Sequence, residues 1–352
     1  MKVLLLHGYS ATNAGDGLLV DESIGLIRDV VGSDAEVTLL ASRPETFSSS
    51  ELQEVINSRP TISGYSRRYL ETLRDIREYD YVFGVGGGYL RAGTMVEALK
   101  CALVHGPQLI AARRVGERVA YLPQSIGPAR WPAGLFLRLG LSSMASVCVR
   151  DDRSLAQFPV DGVARFPDLA LLSKDWSPRT SGPVGVVPVL SVRATRGDVP
   201  RSARDLAARL GTFDGYVQSR GASNDDVEAM DSVRPSKVLS REEMLSPSGK
   251  RRVVCAMRLH GALMAMAAGH YVIHLSYERK GFGAYSDLGL GDYVHNVFRF
   301  DPGQVQKQIE SLTLDPEARA EYDQRVASAR FSLSDARERL VQHLRTTLDV
   351  AD

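Results

Sequence analysis

Cysteine is scarce in this chain. Cys101, Cys148 and Cys255 are the only three among 352 residues, far apart inside apolar runs and without Cys-x-x-Cys or Cys/His spacing. A disulfide framework and a zinc site are therefore both excluded as expectations, no other metal-ligand cluster stands out, and a reducing, cytoplasmic setting fits. Net charge is almost absent as well: 43 Lys and Arg stand against 42 Asp and Glu, leaving +1. A global field for holding nucleic acid or an anionic membrane is missing, so any anion must be recognised locally. Lysine is rare among the cations, 7 beside 36 Arg. That bias suits anion recognition and follows equally from codon usage. Long apolar runs are missing too. Met1 to Leu6 is too short for a signal-peptide core, and Val253 to Leu275 is interrupted by Arg258, His260, His270 and His274, so no transmembrane segment is expected.

What is present is an ordinary globular composition, 44% hydrophobic and 24% charged, at a length that suits two domains. Short β-rich runs alternate with segments of helical period, the pattern of βαβ units and a parallel sheet. Strands are expected at Val3 to Leu6, Val37 to Leu40, Tyr81 to Val85, Val119 to Leu122 and Val147 to Val149. Helices are expected at Tyr69 to Tyr79, Met95 to Ala112 and Leu135 to Met144. Lys174 to Pro183 is polar and rich in Pro, Gly and Ser, and reads as a linker with Ser181-Gly182 as its hinge. A second alternating series follows: Val184 to Leu190, Thr212 to Gln218, Lys237 to Leu239, Val253 to Met257 and Tyr271 to Leu275. The expected architecture is α/β, with two doubly wound Rossmann-like domains facing a cleft. Residues 1–173 form the N-terminal domain, 174–183 the linker, 184–315 the C-terminal domain and 316–352 one or two surface helices introduced by Asp315.

Four motifs carry chemistry. Asn13-Ala14-Gly15-Asp16-Gly17 lies between the first strand and its helix, where backbone N–H groups can hold an anion or Asp16 can cap the helix. Gly84-Val85-Gly86-Gly87-Gly88 suits either a backbone wall against a ligand or tight packing. It is a poor dinucleotide fingerprint, because Tyr89 stands where the third glycine belongs, and no Walker lysine follows. Val149-Arg150-Asp151-Asp152-Arg153-Ser154 ends a strand with an arginine aimed at the cleft or tied in a surface pair, and Asp151 can cap the next helix. Met257-Arg258-Leu259-His260-Gly261 delivers an arginine and a histidine to a strand-to-helix junction, where a functional role outweighs a structural one. Tyr277-Glu278-Arg279-Lys280 brings Lys280 to the same sheet edge, whereas His270 and His274 read as structural.

In order, Asn13-x-Gly15-Asp16, Gly86-Gly87-Gly88, Ile126-Gly127-Pro128, Arg150-Asp151-x-x-Ser154, Pro167-Asp168, Arg258-Leu259-His260 and Tyr277-x-x-Lys280 resemble the polysaccharide pyruvyl transferase family, over residues 1 to about 290. The resemblance implies a glycosyltransferase-B-like fold. It also implies transfer of the enolpyruvyl group of phosphoenolpyruvate onto two sugar hydroxyls, forming a cyclic ketal with release of phosphate. Phosphoenolpyruvate would be a substrate, with no cofactor and no metal. Arg150, Arg258 and Lys280 would bind the donor beside Gly86 and Gly87, and His260 with Arg258 would be catalytic. Asn13, Gly15 and Asp16 would face the acceptor or the cleft. Three cations match a donor of nearly three negative charges, and an imidazole exchanges protons near neutrality. The protein would be cytoplasmic and, where the acceptor is lipid-linked, peripheral to the inner membrane.

Three positions depart from the family pattern. Met257 stands where a small hydroxyl residue is common, Tyr271 where a proline usually follows Gly269, and Leu90-Arg91-Ala92 where a polar residue often follows the glycines. Two other readings remain at this point: a glycosyltransferase using a nucleotide sugar, which shares the fold, and a catalytically silent glycan-binding module.

Overall fold

The computed structural model describes residues 1–48, 50–158, 162–176, 183–220, 225–246 and 250–350. The chain divides into two compact units. The first holds residues 1–11, 16–172 and the chain from 335 onward; the second holds 12–15 and 173–334. The core of the expected linker, 177–182 with Ser181-Gly182, lies outside the described residues.

The first unit is built on seven parallel strands: β1 (Lys2–Gly8), β2 (Glu36–Ala41), β3 (Leu52–Asn57), β4 (Tyr81–Gly84), β5 (Val119–Gln124), β6 (Ser146–Val149) and β7 (Val163–Arg165). They lie in the order β3-β2-β1-β4-β5-β6-β7. Val3 to Leu6 have no exposed surface and β5 is buried throughout, as befits central strands covered on both faces. The second unit repeats the plan with β8 (Val189–Ser191), β9 (Asp214–Tyr216), β10 (Val238–Leu239), β11 (Val253–Ala256), β12 (Tyr271–Ser276) and β13 (Val294–Asn296), in the order β10-β9-β8-β11-β12-β13. In each sheet the strand order reverses once, between β1 and β4 and between β8 and β11. Such a reversal leaves a crevice at the carboxyl ends of the strands, the place where doubly wound sheets take ligands.

Helices cover the sheets. Those of the first unit are α1 (Ala14–Val31), α2 (Arg67–Arg74), α3 (Met95–Val104), α4 (Gly106–Ala112), α5 (Ala133–Leu141) and α6 (Asp152–Gln157). Those that follow are α7 (Arg201–Leu210), α8 (Val227–Ser232), α9 (Arg241–Leu245), α10 (Leu259–Ala267), α11 (Arg279–Asp287), α12 (Pro302–Leu314) and α13 (Pro316–Thr347). The helix expected over 95–112 is broken at His105, because Pro107 lies in the first turn of α4 and supplies no N–H. The strand expected over 184–190 starts only at Val189, after Pro188; Val184 makes a single bridge to Arg251.

The expected surface helices of 316–352 are one 32-residue helix with a buried stripe. Tyr322, Val326, Ala329, Leu333, Ala336, Leu340 and Leu344 recur at three- and four-residue steps and are all buried. Asp315 Oδ1 accepts the Glu317 N–H at 2.8 Å at its start. Within the second unit, Tyr271 explains its own presence in place of a proline: its hydroxyl donates to Asp323 at 2.9 Å and its ring meets Tyr322 edge-on. Within the first, Arg337 donates to Asp29 at 2.7 Å and to the Leu172 carbonyl at 3.0 Å. Among the described residues no helix is long and apolar enough to cross a membrane.

Candidate active site

In the second unit, β11 and β12 are neighbours, and each ends in a helix whose start lacks a side-chain cap. Arg258 is the residue before α10, with His260 in its first turn; Lys280 is in the first turn of α11. Open N–H groups and the helix dipole make such starts receptive to anions. Arg258 is buried and held in a bidentate pair: Nε donates to Asp226 Oδ2 at 2.5 Å and Nη2 to Asp226 Oδ1 at 2.8 Å. Lys280 pairs with Glu278 at 3.0 Å in a half-buried position. His260 is half-buried and packs on Gly15, where a Cβ would come within 2.7 Å of His260 Cβ and 2.8 Å of Nδ1. Asn13 Oδ1 accepts the Gly15 N–H at 3.3 Å, and Asn13 bridges to Ser219.

Across the reversal, Arg193 follows β8. Its Nη1 donates to the Tyr277 hydroxyl at 2.9 Å, and its guanidinium lies over the Tyr277 ring at 5.0 Å. The backbone N–H of Arg193 donates to Met257 Sδ at 3.5 Å, so the thioether serves as an acceptor where a hydroxyl residue is common. Beneath the site His274 donates Nδ1–H to the Ala256 carbonyl at 2.8 Å, and burial pushes its pKa down to about 4. Gly281 leaves it room, since a Cβ there would stand 2.3 Å from Nε2. His270 is likewise structural, accepting the Arg252 N–H and contacting the Met244 carbonyl.

In the first unit, Arg150 is 3% exposed, so its ion pair is buried rather than at the surface. Its Nη1 donates to Asp168 at 2.5 Å and its Nε to Ser125 Oγ at 3.0 Å, while Ser125 donates to Asp151 at 2.6 Å. Asp151 also caps α6 by accepting the Ser154 N–H at 2.8 Å. The glycine run packs around this network. A Cβ on Gly86 would meet Leu169 at 2.8 Å, one on Gly87 would meet the Tyr89 ring at 3.2 Å, and one on Gly88 would meet Arg150 Nη2 at 3.3 Å. Gly86 is thus a close-packing residue rather than an open wall. Asp16 lies inside α1, in its first turn, rather than ahead of it at the N-cap position, and is grouped with the first unit while Asn13 and Gly15 belong to the second.

With these positions in hand, the sequence model of the polysaccharide pyruvyl transferase family matches residues 13–279. The chain belongs to that family. No curated protein matches it. Among solved structures, that of Anabaena HepE in complex with UDP and glucose is 14% identical, with a TM-score of 0.62 over 98% of this chain and 100% of that one. Staphylococcus aureus MnaA with UDP is 10% identical at TM-score 0.57, over 99% and 97%. Apo OtsA is 12% identical at TM-score 0.59, over 98% and 99%. These likenesses establish a glycosyltransferase-B-like fold and nothing further.

In this polysaccharide pyruvyl transferase family member, sequence reading grouped Arg258, His260 and Lys280 on adjacent strand ends and missed their partners. Each expected donor cation carries a carboxylate: Asp168 for Arg150, Asp226 for Arg258 and Glu278 for Lys280. Matching three bare positive charges to a trianion therefore does not describe the site. Asp226 and Arg193 sit in polar loop text, and only tertiary proximity reveals them.

Proposed function

We propose that this family member transfers the enolpyruvyl group of phosphoenolpyruvate onto two hydroxyls of a sugar in a polysaccharide or its precursor, giving a cyclic ketal and phosphate. The observation that carries this reading is the pair of uncapped helix starts on adjacent strands, bearing Arg258, His260 and Lys280 beside the β8/β11 reversal. The pairs differ in how they would respond to a donor. Arg258 and Asp226 are buried and bidentate, so they remain joined and fix the guanidinium's orientation. Lys280 and Glu278 are partly exposed, so a trianion replaces Glu278 at little cost. Arg193, propped on Tyr277, adds a planar donor on the other side of the reversal.

His260 would deliver a proton to the methylene carbon of the donor, which leaves positive character at C2 for the first hydroxyl to attack. The C2–O bond to phosphate then breaks and the second hydroxyl closes the ketal. Of the two hydroxyl protons, one ends in the new methyl group and the other on phosphate, so the transfer balances with phosphoenolpyruvate as a substrate and no cofactor. Incubation with phosphoenolpyruvate and candidate glycans, followed by mass spectrometry, should show an added pyruvyl group with loss of water. Phosphoenolpyruvate should also raise the melting temperature by a few degrees. Stabilisation by UDP-sugars with no response to phosphoenolpyruvate would overturn the reading in favour of glycosyl transfer.

A further inference from the structure

Of the twenty large apolar side chains that stand exposed among the described residues, nine fall between 95 and 139. On α3 they form a solvent-side stripe of Met95, Val96, Leu99 and Leu103, spaced as one helix face. On α5, Leu137, Gly140 and Leu141 face the core, while Leu135, Phe136 and Leu139 face outward with Trp131 just ahead of the helix. The two helices belong to one surface. α4 packs against both, Ala92 N–H donates to the Pro128 carbonyl at 2.8 Å, and Arg130 N–H donates to the Ala92 carbonyl at 3.0 Å. Met95 is 88% exposed and Trp131 83%. Isolated exposed leucines are ordinary in a globular protein, but an adjoining group of this size marks a contact surface.

The charges name the occupant. Residues 91–144 contain seven Arg or Lys against Glu97 and Glu117, in a chain whose total is +1. Lys100, Arg130 and Arg138 are exposed among the apolar side chains. Glu97 is already engaged in the cap of α3. A second copy of the chain meeting this face about a two-fold axis would bring like charges together. An anionic bilayer instead attracts the cations while its interface accepts leucines, a phenylalanine and an indole.

We infer that the outer face of α3 and α5 docks on the surface of an anionic phospholipid membrane. The face takes the headgroup region without spanning it. It would hold the enzyme where a sugar acceptor sits on a lipid carrier; that last step rests on the pyruvyl-transfer reading, whereas the docking itself does not.

The test uses the full chain and vesicles of phosphatidylglycerol with phosphatidylethanolamine, against vesicles of phosphatidylcholine alone. The protein should float with the anionic vesicles, release as salt rises, and show a blue shift of tryptophan emission that Trp131→Phe removes. Leu99→Asp with Phe136→Asp should abolish flotation with unchanged thermal unfolding. Lys100→Glu with Arg138→Glu should weaken it about 10-fold or more. Equal binding to both vesicles, no binding to either, or a dimer that Leu99→Asp with Phe136→Asp converts to a monomer without effect on flotation would each overturn the inference. Failure here leaves transfer to a water-soluble acceptor unaffected, and failure of that transfer leaves vesicle binding unaffected.

Discussion

At the scale of single residues, the site is organised by what sits behind the expected ligands. Gly15 shows this most sharply. A methyl group there would overlap His260, and Gly15 adopts no backbone conformation closed to alanine, so the clash falls on His260, whose Cβ as well as its imidazole has to shift. Gly15→Ala should therefore reproduce much of the loss of turnover caused by His260→Ala, and His260→Ala itself should change donor affinity little, since the work assigned to His260 is proton transfer. Paired steady-state kinetics and donor titrations check this; normal kcat in either variant would remove His260 from the chemistry. The buried pair gives a second expectation. Asp226→Asn keeps the shape but removes the carboxylate charge that faces the buried Arg258, which should cost about 3–5 kcal/mol in urea unfolding. A loss below about 1 kcal/mol would mean that Arg258 finds another partner.

At the scale of elements, the central strands were readable because burial on both faces leaves them as near-continuous apolar runs. Val3 to Leu6, Val119 to Leu122 and Tyr271 to Leu275 all fall within observed strands. The edge strands β3, β7 and β13 were not readable: Leu-Gln-Glu-Val-Ile-Asn breaks the apolar run by placing Glu54 on the face of Leu52 and Ile56, and the other two are three residues long and half-buried. The strand-end placement of Arg258, His260 and Lys280 was legible because a strand followed at once by a helix fixes where the junction residues go. Arg150's partner could not be read, since Asp168 is eighteen residues away and its approach depends on the path after β7. The C-terminal helix looked like surface text because its apolar stripe is thin. Leu340 lies on that stripe with no exposed surface, so Leu340→Ala should destabilise the protein by about 2–5 kcal/mol. Calorimetry that shows no loss would place the stripe in solvent.

For the molecule as a whole, near-neutral charge conceals buried bases in both units. In the first, His7 and His105 bring their Nδ1 atoms to 3.1 Å, and His7 Nε2 lies 3.0 Å from the Tyr121 hydroxyl. Burial, with the neighbouring His105, lowers the pKa of His7 well below its ordinary value, and burial lowers that of His105 to about 4. His274 behaves likewise in the second unit, also through burial. Unfolded histidines take up protons near pH 6.5, whereas His105 and His274 do so only near 4 and His7 only well below its ordinary value. The stability all three contribute is thus complete above about pH 6.5 and declines as pH falls, and for His105 and His274 the decline levels off below about 4. For His274 alone the loss is about 3 kcal/mol. The melting temperature should accordingly fall between pH 7 and pH 4, and a flat profile across that range would show that the imidazoles reach water.

The division of the chain has a consequence for how it is made. The first unit is not finished by the first half of the sequence: the end of α13, with Arg337 on Asp29 and Arg345 on the carbonyls of Asp29 and Val30, arrives only after all of the second unit has been synthesised. At about 5–20 residues per second, the roughly 160 residues between Leu172 and Asp335 take on the order of ten seconds or more to emerge. During that interval the second unit can complete itself, residues 12–15 having left the ribosome long before, while the first waits for its last helix. Order of synthesis and order of completion are therefore reversed, and the nascent N-terminal sheet is the portion of this protein that most needs shelter from premature association.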